Sequence, residues 1–516
     1  MGVRLGIDFG TTRTVVACCD RGNYPVLSFF DDAGDTVDFF PSVVAEHKGE
    51  LTFGLDAIHL AQERGWNLVR SFKRLLSRPR AADAVVQVGA LEVTAGELIT
   101  RFLASLRDAI LYRSNRPAVS NDDKLVAVVA TPANAHGAQR FVTLDAFRRA
   151  GFEVVGMLNE PSAAGFEYTH RHHRTITSKR EHIVVYDLGG GTFDASLVHL
   201  HGRHHDAVAT AGLNHLGGDD FDAVLADVVM SAAKLDRKAL PRRAQALLLD
   251  QCREAKERLN PNSRRIAIDL EAVMGDAAPE PEVTIGVQEF YDAAAPLVER
   301  TIVAMEPVMA KLDQDVDEAM TEIAGIYVVG GASALPVVPR VLRERFGRRV
   351  HRSPYPSGAI AIGLAIAADE DAGFEVSDRL SRHFGVFREG RGGEEVVFDP
   401  IFDREERVPA RGEGRAVIPR VYRAAHNVGR YRFVECAALD ARGVPIGDIT
   451  AYRDVLFPFD PSLRGDATDL ARVPVRRMSH AGPLIQEKYS VTEHGLVKVT
   501  ITDLETGFER SFPIGA

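Results

Sequence analysis

Asp187-Leu188-Gly189-Gly190-Gly191-Thr192-Phe193-Asp194 is the stretch on which the fold turns. The apolar run Ile183-Val184-Val185-Tyr186 before it reads as a buried strand, and Ala195-Ser196-Leu197-Val198 after it reads as the returning strand. Three consecutive glycines between them leave the backbone bare, so successive N–H groups can face an anion without interference from Cβ. A carboxylate enters the turn and a hydroxyl follows the glycines. Phosphate, a divalent cation and a water can all be held by such a set. The plainer alternative is a tight hairpin whose glycines only supply positive φ.

A second copy weighs against the hairpin. Val3 to Ile7 form a short apolar strand that runs into Asp8-Phe9-Gly10-Thr11-Thr12-Arg13-Thr14, and Val15-Val16-Ala17-Cys18-Cys19 return. Strand, aspartate, glycine, threonine and strand thus occur twice, about 180 residues apart, which points to a duplicated α/β domain with its ligand between the halves. The segments between and after fit strands covered by helices. Thr94-Ala95-Gly96-Glu97 is a capping box followed by Leu98, Phe102, Leu106 and Ile110 at helical spacing. A strand over 124–130 closes at Thr131-Pro132, and a helix through Arg140, Phe141, Leu144 and Phe147 stops at Gly151. Asn159-Glu160-Pro161 opens a helix with the small residues Ala163, Ala164 and Gly165. Gly217-Gly218 precedes an acidic helix start, Pro241 opens a long helix through Cys252 and Lys256, and the strand Ile326–Val329 runs into Gly330-Gly331.

Beyond Ala368 the texture changes. Residues 369–383 read as a linker, and from Phe384 short alternating strands with turn residues every eight to twelve positions read as an all-β sandwich. Its clearest hairpin is Tyr489-Ser490-Val491, the turn Glu493-His494-Gly495, then Val497, Val499 and Ile501 on one face. The chain of 516 residues is 45% hydrophobic and 26% charged with a net charge of −10, which opposes nucleic acid or anionic membrane as the main partner. Cys18, Cys19, Cys252 and Cys436 have neither metal nor disulfide spacing, and there is neither a leader pattern nor a long apolar run. These features lead us to expect a cytoplasmic protein.

Together these residues resemble the seventy-kilodalton heat-shock chaperones, the DnaK-type family. Its motifs are matched by Gly6-Ile7-Asp8-Phe9-Gly10-Thr11-Thr12, Phe72-Lys73-Arg74-Leu75, Asn159-Glu160-Pro161-Ser162-Ala163-Ala164, Asp187 to Asp194 and His215 to Asp222, and more loosely by the tail ending Asp503-Leu504-Glu505-Thr506-Gly507. The resemblance implies an actin-like ATPase of two lobes around a nucleotide cleft over 1–368, a linker over 369–383, and a β-sandwich-like polypeptide-binding domain over 384–516, which we expect to depart from the family in having no helical lid. It implies a slow ATPase that takes ATP and ADP with magnesium, clients that are unfolded or extended polypeptides, and co-chaperones or a nucleotide exchange factor as further partners.

By the same resemblance, Asp8 and Asp187 hold magnesium through its waters. Gly10, Thr11, Thr12, Gly189, Gly190 and Gly191 cradle phosphates from opposite sides. Lys73, Glu160 and Thr192, with Asp187, serve the attacking water and the γ-phosphoryl group. Gly217, Gly218, Lys256, Gly330 and Gly331 complete the nucleotide site, and Pro132 and Arg140 relay nucleotide state between cleft and surface.

The departures are specific. Arg253 replaces a family glutamate, Asn260 a serine, Ala332 and Ala334 a serine and an arginine, and Pro356-Ser357-Gly358 a Pro-Asp-Glu. Phosphate contacts are kept while base and ribose contacts change. Two other readings stay open: a non-enzymatic nucleotide-dependent module that docks one dedicated partner, and an actin-like filament protein. His170, His172, His173, His199, His201, His204 and His205 lie near turns without a helical His pair, and read as solvated loop residues and not a metal site. The arginines from Arg340 to Arg352 have one aromatic ring, Phe346, among them and sit on an acidic chain, and do not read as a nucleic-acid patch.

Overall fold

The computed structural model describes residues 2–31, 34–61, 63, 65–78, 83–116, 124–172, 176, 180–312, 322–410, 417–465 and 468–515. Duplication is visible in its strand order. The first sheet runs Glu153–Asn159, Leu125–Thr131, Val3–Phe9, Arg13–Cys18, Phe40–Pro41. The second runs Val350–Arg352, Ile323–Val329, His182–Leu188, Phe193–His201, His204–Leu213, Glu375–Ser377. In each, a central strand pairs in parallel on one side and antiparallel on the other, where its own hairpin partner lies. Asp8 and Asp187 each sit one residue before the end of that central strand, so one topology delivers two carboxylates to equivalent places.

Both central strands are buried along nearly their whole length, as expected for Val- and Ile-rich strands covered on both faces. The first sheet shares a core with the Ala95–Tyr112 helix, where Thr94 Oγ1 accepts a 3.2 Å hydrogen bond from the Glu97 N–H and caps the first turn. The second shares a core with the Gly218–Ala232 and Val287–Met309 helices. Between the sheets lie the helices Glu160–His172 and Ala359–Ala368. Their approach demands glycine: a Cβ on Gly363 would stand 1.7 Å from the Ala163 carbonyl oxygen, and one on Gly6 would stand 2.2 Å from that of Ala361.

Beyond residue 382 the strands form two antiparallel sheets. One runs Glu395–Phe402, His383–Gly390, Val428–Leu439, Pro445–Ala451, with Val455–Pro458 also on the long Val428–Leu439 strand; the other runs Val417–Arg423, Leu484–Val491, Val497–Asp503, Glu509–Pro513. Phe384, Val386 and Phe433 of the first share one core with Tyr489, Val499 and Ile501 of the second. Glu487 is fully buried between them, where Arg388 Nη2 donates to its Oε2 at 2.6 Å. This unit is docked on the first half of the chain. Gly137 N–H donates to Glu435 Oε2 at 3.0 Å, and Asp378 accepts from Asn159 N–H at 3.0 Å and from Ser162 Oγ at 2.6 Å. Among the described residues no helix is long and apolar enough to cross a membrane.

The histidines depart from expectation. Instead of solvated loops they occupy the end of the Glu160–His172 helix and the strands Phe193–His201 and His204–Leu213, while His173 lies outside the described residues. His205 is fully buried, within 3.0 Å of Thr169 Oγ1 and packed on the Phe166 ring. The strands continue to within two residues of the turn at Gly202, and strand alternation then turns His205 inward.

Candidate functional site

The two glycine turns face one another across a cleft with about 1130 Å³ of open space. Each turn is held from behind. Ser42 Oγ donates to the Gly10 carbonyl at 2.9 Å, and the Ser42 N–H donates to that of Thr12 at 3.0 Å. Across the cleft, Gly218 N–H and Asp219 N–H donate to the carbonyls of Gly189 at 2.9 Å and Gly190 at 2.8 Å. Within the turns Gly10 N–H donates to the Asp8 carbonyl at 3.1 Å and Gly189 N–H to that of Thr192 at 3.0 Å, so these two amides brace the turns themselves. Gly10, Thr11, Thr12, Gly189, Gly190, Thr192, Gly218, Gly330 and Gly331 all line it. Gly191 and Gly217 pack on each other behind the wall, where a Cβ on Gly217 would stand 2.5 Å from the Gly191 nitrogen. Space in front of the turns is equally restricted: a Cβ on Gly190 would stand 2.7 Å from Thr12 Oγ1, and one on Gly330 would stand 2.3 Å from Asp187 Oδ1.

Lys73 enters on a short 3₁₀ segment, Phe72–Ser77. Phe72 anchors it against Phe102, and Ser71 takes a left-handed conformation at φ 55° with its Oγ donating to Asp219 Oδ2 at 2.8 Å. The Lys73 ammonium lies 3.0 Å from Glu160 Oε1, and both side chains are buried. Asp8, Asp187 and Asp194 complete a group of four carboxyls around one ammonium. Burial, and then Glu160, push the Asp8 and Asp194 carboxyls up to about 7, while Lys73 pulls the other way. Burial, then Glu160, Asp194 and Asp8, hold Asp187 well above the usual carboxylate range. Burial works against the charge on Lys73, but Glu160 and Asp8 outweigh it and raise the ammonium's pKa.

A cation fits this place. Asp187 Oδ1 and Asp194 Oδ1 are buried and lack a hydrogen-bond partner among the described residues. The donor set is all carboxylate, which suits a hard divalent ion such as magnesium.

The other end of the cleft is built differently. Lys256 Nζ lies 2.6 Å from Asp222 Oδ1 and donates to the Gly218 carbonyl at 2.8 Å. Arg253 is engaged by Asp219 at 3.2 Å, Asp222 at 3.2 Å and Asp250 at 3.1 Å. Ala332 and Ala334 line the wall beside Ser357 without side-chain hydrogen-bonding groups of their own. Ion pairs also cross the mouth of the cleft from the first lobe to the second: Arg13 to Glu257, and Arg70 Nε to Asp250 Oδ1 at 2.8 Å.

Pro132 and Arg140 are buried outside the cleft lining. Arg140 donates to the Asn159 side chain, and Asn159 precedes Glu160 in sequence and binds Asp378 through its own N–H. A continuous set of contacts therefore leads from Glu160 to the segment before the C-terminal sheets.

Comparison with known proteins agrees with this architecture. The sequence model of the family described as Hsp70 protein matches residues 4–381. The chain belongs to the Hsp70 family. That family's ATPase domain is actin-like and two-lobed, in keeping with the paired sheets. Curated relatives include the chaperone protein HscA homologue of Burkholderia cenocepacia, 34% identical over 388 residues that make up 72% of this chain and 58% of the relative. The HscA homologue of Tolumonas auensis is 32% identical over 380 residues, covering 71% and 57%. The chaperone protein HscA of Klebsiella pneumoniae is 34% identical over 379 residues, covering 70% and 57%. The chain thus spans under two thirds of the length of these relatives.

Some neighbours of the site escaped the sequence reading. Asp194 was legible as part of a motif, but its burial beside Glu160 and Lys73 was not. The Arg13–Glu257 and Arg70–Asp250 pairings carry no local signal, because each joins opposite lobes.

Proposed function

We propose that the chain is an ATP-dependent chaperone-like protein that hydrolyses ATP with magnesium between its lobes and binds extended polypeptide segments through its C-terminal β-region. The observation that carries the reading is the buried Lys73–Glu160 pair among three aspartates, set between two glycine–threonine turns. In this account Asp8 and Asp187 hold the hydrated ion, which when bound neutralises charge on the phosphate oxygens. The Gly190 amide, with Thr11 and Thr12, takes the phosphates, between turns whose tight shape Gly10, Gly189 and Gly191 provide. Lys73 positions the attacking water, Glu160 accepts its proton, and Thr192 stands at the γ-phosphate end. Gly218, Lys256, Gly330 and Gly331 complete the nucleotide site, with Gly217 packed behind it and base selectivity altered by Arg253, Ala332 and Ala334.

Residues 1–368 would be the nucleotide unit, 369–383 the linker and 384–516 a sandwich-like client unit. The Arg140–Asn159–Asp378 contacts support a relay between them, with Pro132 and Arg140 on the cleft side. Clients would be unfolded polypeptides, with co-chaperones or an exchange factor acting at the surface. The cross-cleft pairs of Arg13 and Arg70 favour a second reading, in which a retained nucleotide is structural and the β-region docks one dedicated partner.

Affinity for a fluorescent unfolded polypeptide, measured with ATP, with ADP and without nucleotide, separates the two. Coupled chaperone action predicts different affinities in the ATP and ADP states. Equal affinity in all three states would overturn the coupling.

A further inference from the structure

Away from the cleft, the strand pair that carries the triple-glycine turn ends in a cluster of imidazoles. His199 and His201 are alternate residues on the Phe193–His201 strand, so strand geometry places both on one face. Their rings are 4.5 Å apart. Glu181, just before the neighbouring strand, brings its Oε2 to 3.4 Å from His199 Nε2. One nitrogen from each histidine and one oxygen of Glu181 all lie within 4.8 Å of one another. His182 stacks on His199 with ring centroids 4.6 Å apart, and walls the cluster on one side.

We propose that Glu181, His199 and His201 form a site for a divalent transition metal of the zinc class. Two imidazoles and one carboxylate are a borderline nitrogen–oxygen set, which selects zinc, nickel or copper over magnesium or calcium. Donors about 2.0–2.2 Å from a common centre would stand about 3.3–3.6 Å apart in a tetrahedron, so closure requires side-chain movements of about an ångström. The three side chains are half-buried or exposed and have room for that adjustment. A simple ion pair accounts for less of the arrangement. An ion pair between His199 and Glu181 involves two of the three groups and leaves His201 out. A metal uses all three donors at once, and its fourth position remains open to water.

Position gives the site a consequence. The same hairpin tip carries His204, whose Nδ1 lies 3.6 Å from Glu375 Oε2 on the strand Glu375–Ser377, and that strand joins the sheet edge through His204–Asp206. Metal bound at Glu181, His199 and His201 would tie the start of one strand to the end of the next, beside the edge where the segment leading to the C-terminal sheets is added. The second lobe should melt at a higher temperature with the metal bound.

The test is zinc titration of the untagged full chain, stripped with chelator and held in excess magnesium so that oxygen-only sites are occupied. Competition against a chromophoric chelator gives the affinity, and the visible bands of cobalt in place of zinc report tetrahedral nitrogen–oxygen ligation. We expect one zinc per chain, with affinity reduced at least about tenfold in His199→Ala and in His201→Ala and kept in His204→Ala. Circular dichroism of each apo variant verifies that it is folded. No zinc binding by the wild type, equal affinity in wild type and His199→Ala, or an equal loss in His204→Ala would each overturn the assignment.

Discussion

Replacing Lys73 by Ala leaves Glu160 buried beside Asp8, Asp187 and Asp194 without its only near cation in that group. At the observed 3.0 Å, an effective dielectric of about 20 gives a Coulomb attraction of about 5–6 kcal/mol, most of which offsets the cost of taking both ions out of water. Truncating one partner of such a pair costs about 3 kcal/mol, because the other charge stays buried. The double variant Lys73→Ala/Glu160→Gln removes both charges and should recover about 1–2 kcal/mol of that loss.

The loss should also depend on pH. Asp8 and Asp194 have folded-state pKa values raised to about 7, so the folded state binds more protons than the unfolded state between the ordinary carboxylate range and about pH 7. Their contribution therefore weakens stability as pH rises through that window. Without Lys73 the folded-state values rise further and the window extends upward, so the variant should lose more at pH 8 than at pH 6. Urea midpoints of the full chain, followed by circular dichroism at both pH values, give the order wild type, double variant, single variant. A double variant less stable than Lys73→Ala, or a loss of the same size at both pH values, would refute the reasoning.

Three further outcomes follow from the site. Gly190→Ala and Gly330→Ala place a Cβ 2.7 Å from Thr12 Oγ1 and 2.3 Å from Asp187 Oδ1, and each should weaken nucleotide binding at least about tenfold by equilibrium dialysis. Binding of magnesium nucleotide favours ionised carboxylates, so near pH 7 it should release protons, seen as a buffer-dependent heat in calorimetry; proton uptake would contradict the raised values of Asp8 and Asp194. Arg13→Ala removes a partly exposed cross-cleft pair worth about 0.2–1 kcal/mol and should speed release of a fluorescent nucleotide a few-fold, with a smaller salt dependence than the wild type.

Repetition made the nucleotide half legible. Asp8 with Gly10-Thr11-Thr12 and Asp187 with Gly189-Gly190-Gly191-Thr192 are local signals, and a strand turn keeps its meaning wherever it is placed. The cap at Thr94 was equally local, since Thr94 and Glu97 lie in one helical turn. What local pattern could not show was pairing between distant segments. Asp378 looked like one charge in a polar linker, yet it is buried and accepts from Asn159 and Ser162 far upstream. Arg253 read as a lost nucleotide contact, and two of its three carboxylate partners, Asp219 and Asp222, emerge only once two helices pack together. The histidines were misplaced for a related reason. Gly202 correctly signals a turn, but strand alternation continues to its edge and turns His205 into the core while His199 and His201 stay near the surface.

Phosphate release from ATP in the presence of magnesium, compared between wild type and Lys73→Ala, tests the central claim most directly. The account predicts turnover by the wild type and a loss of about 10²–10³-fold in the variant. No turnover by the wild type, or an unchanged rate in Lys73→Ala, would contradict it.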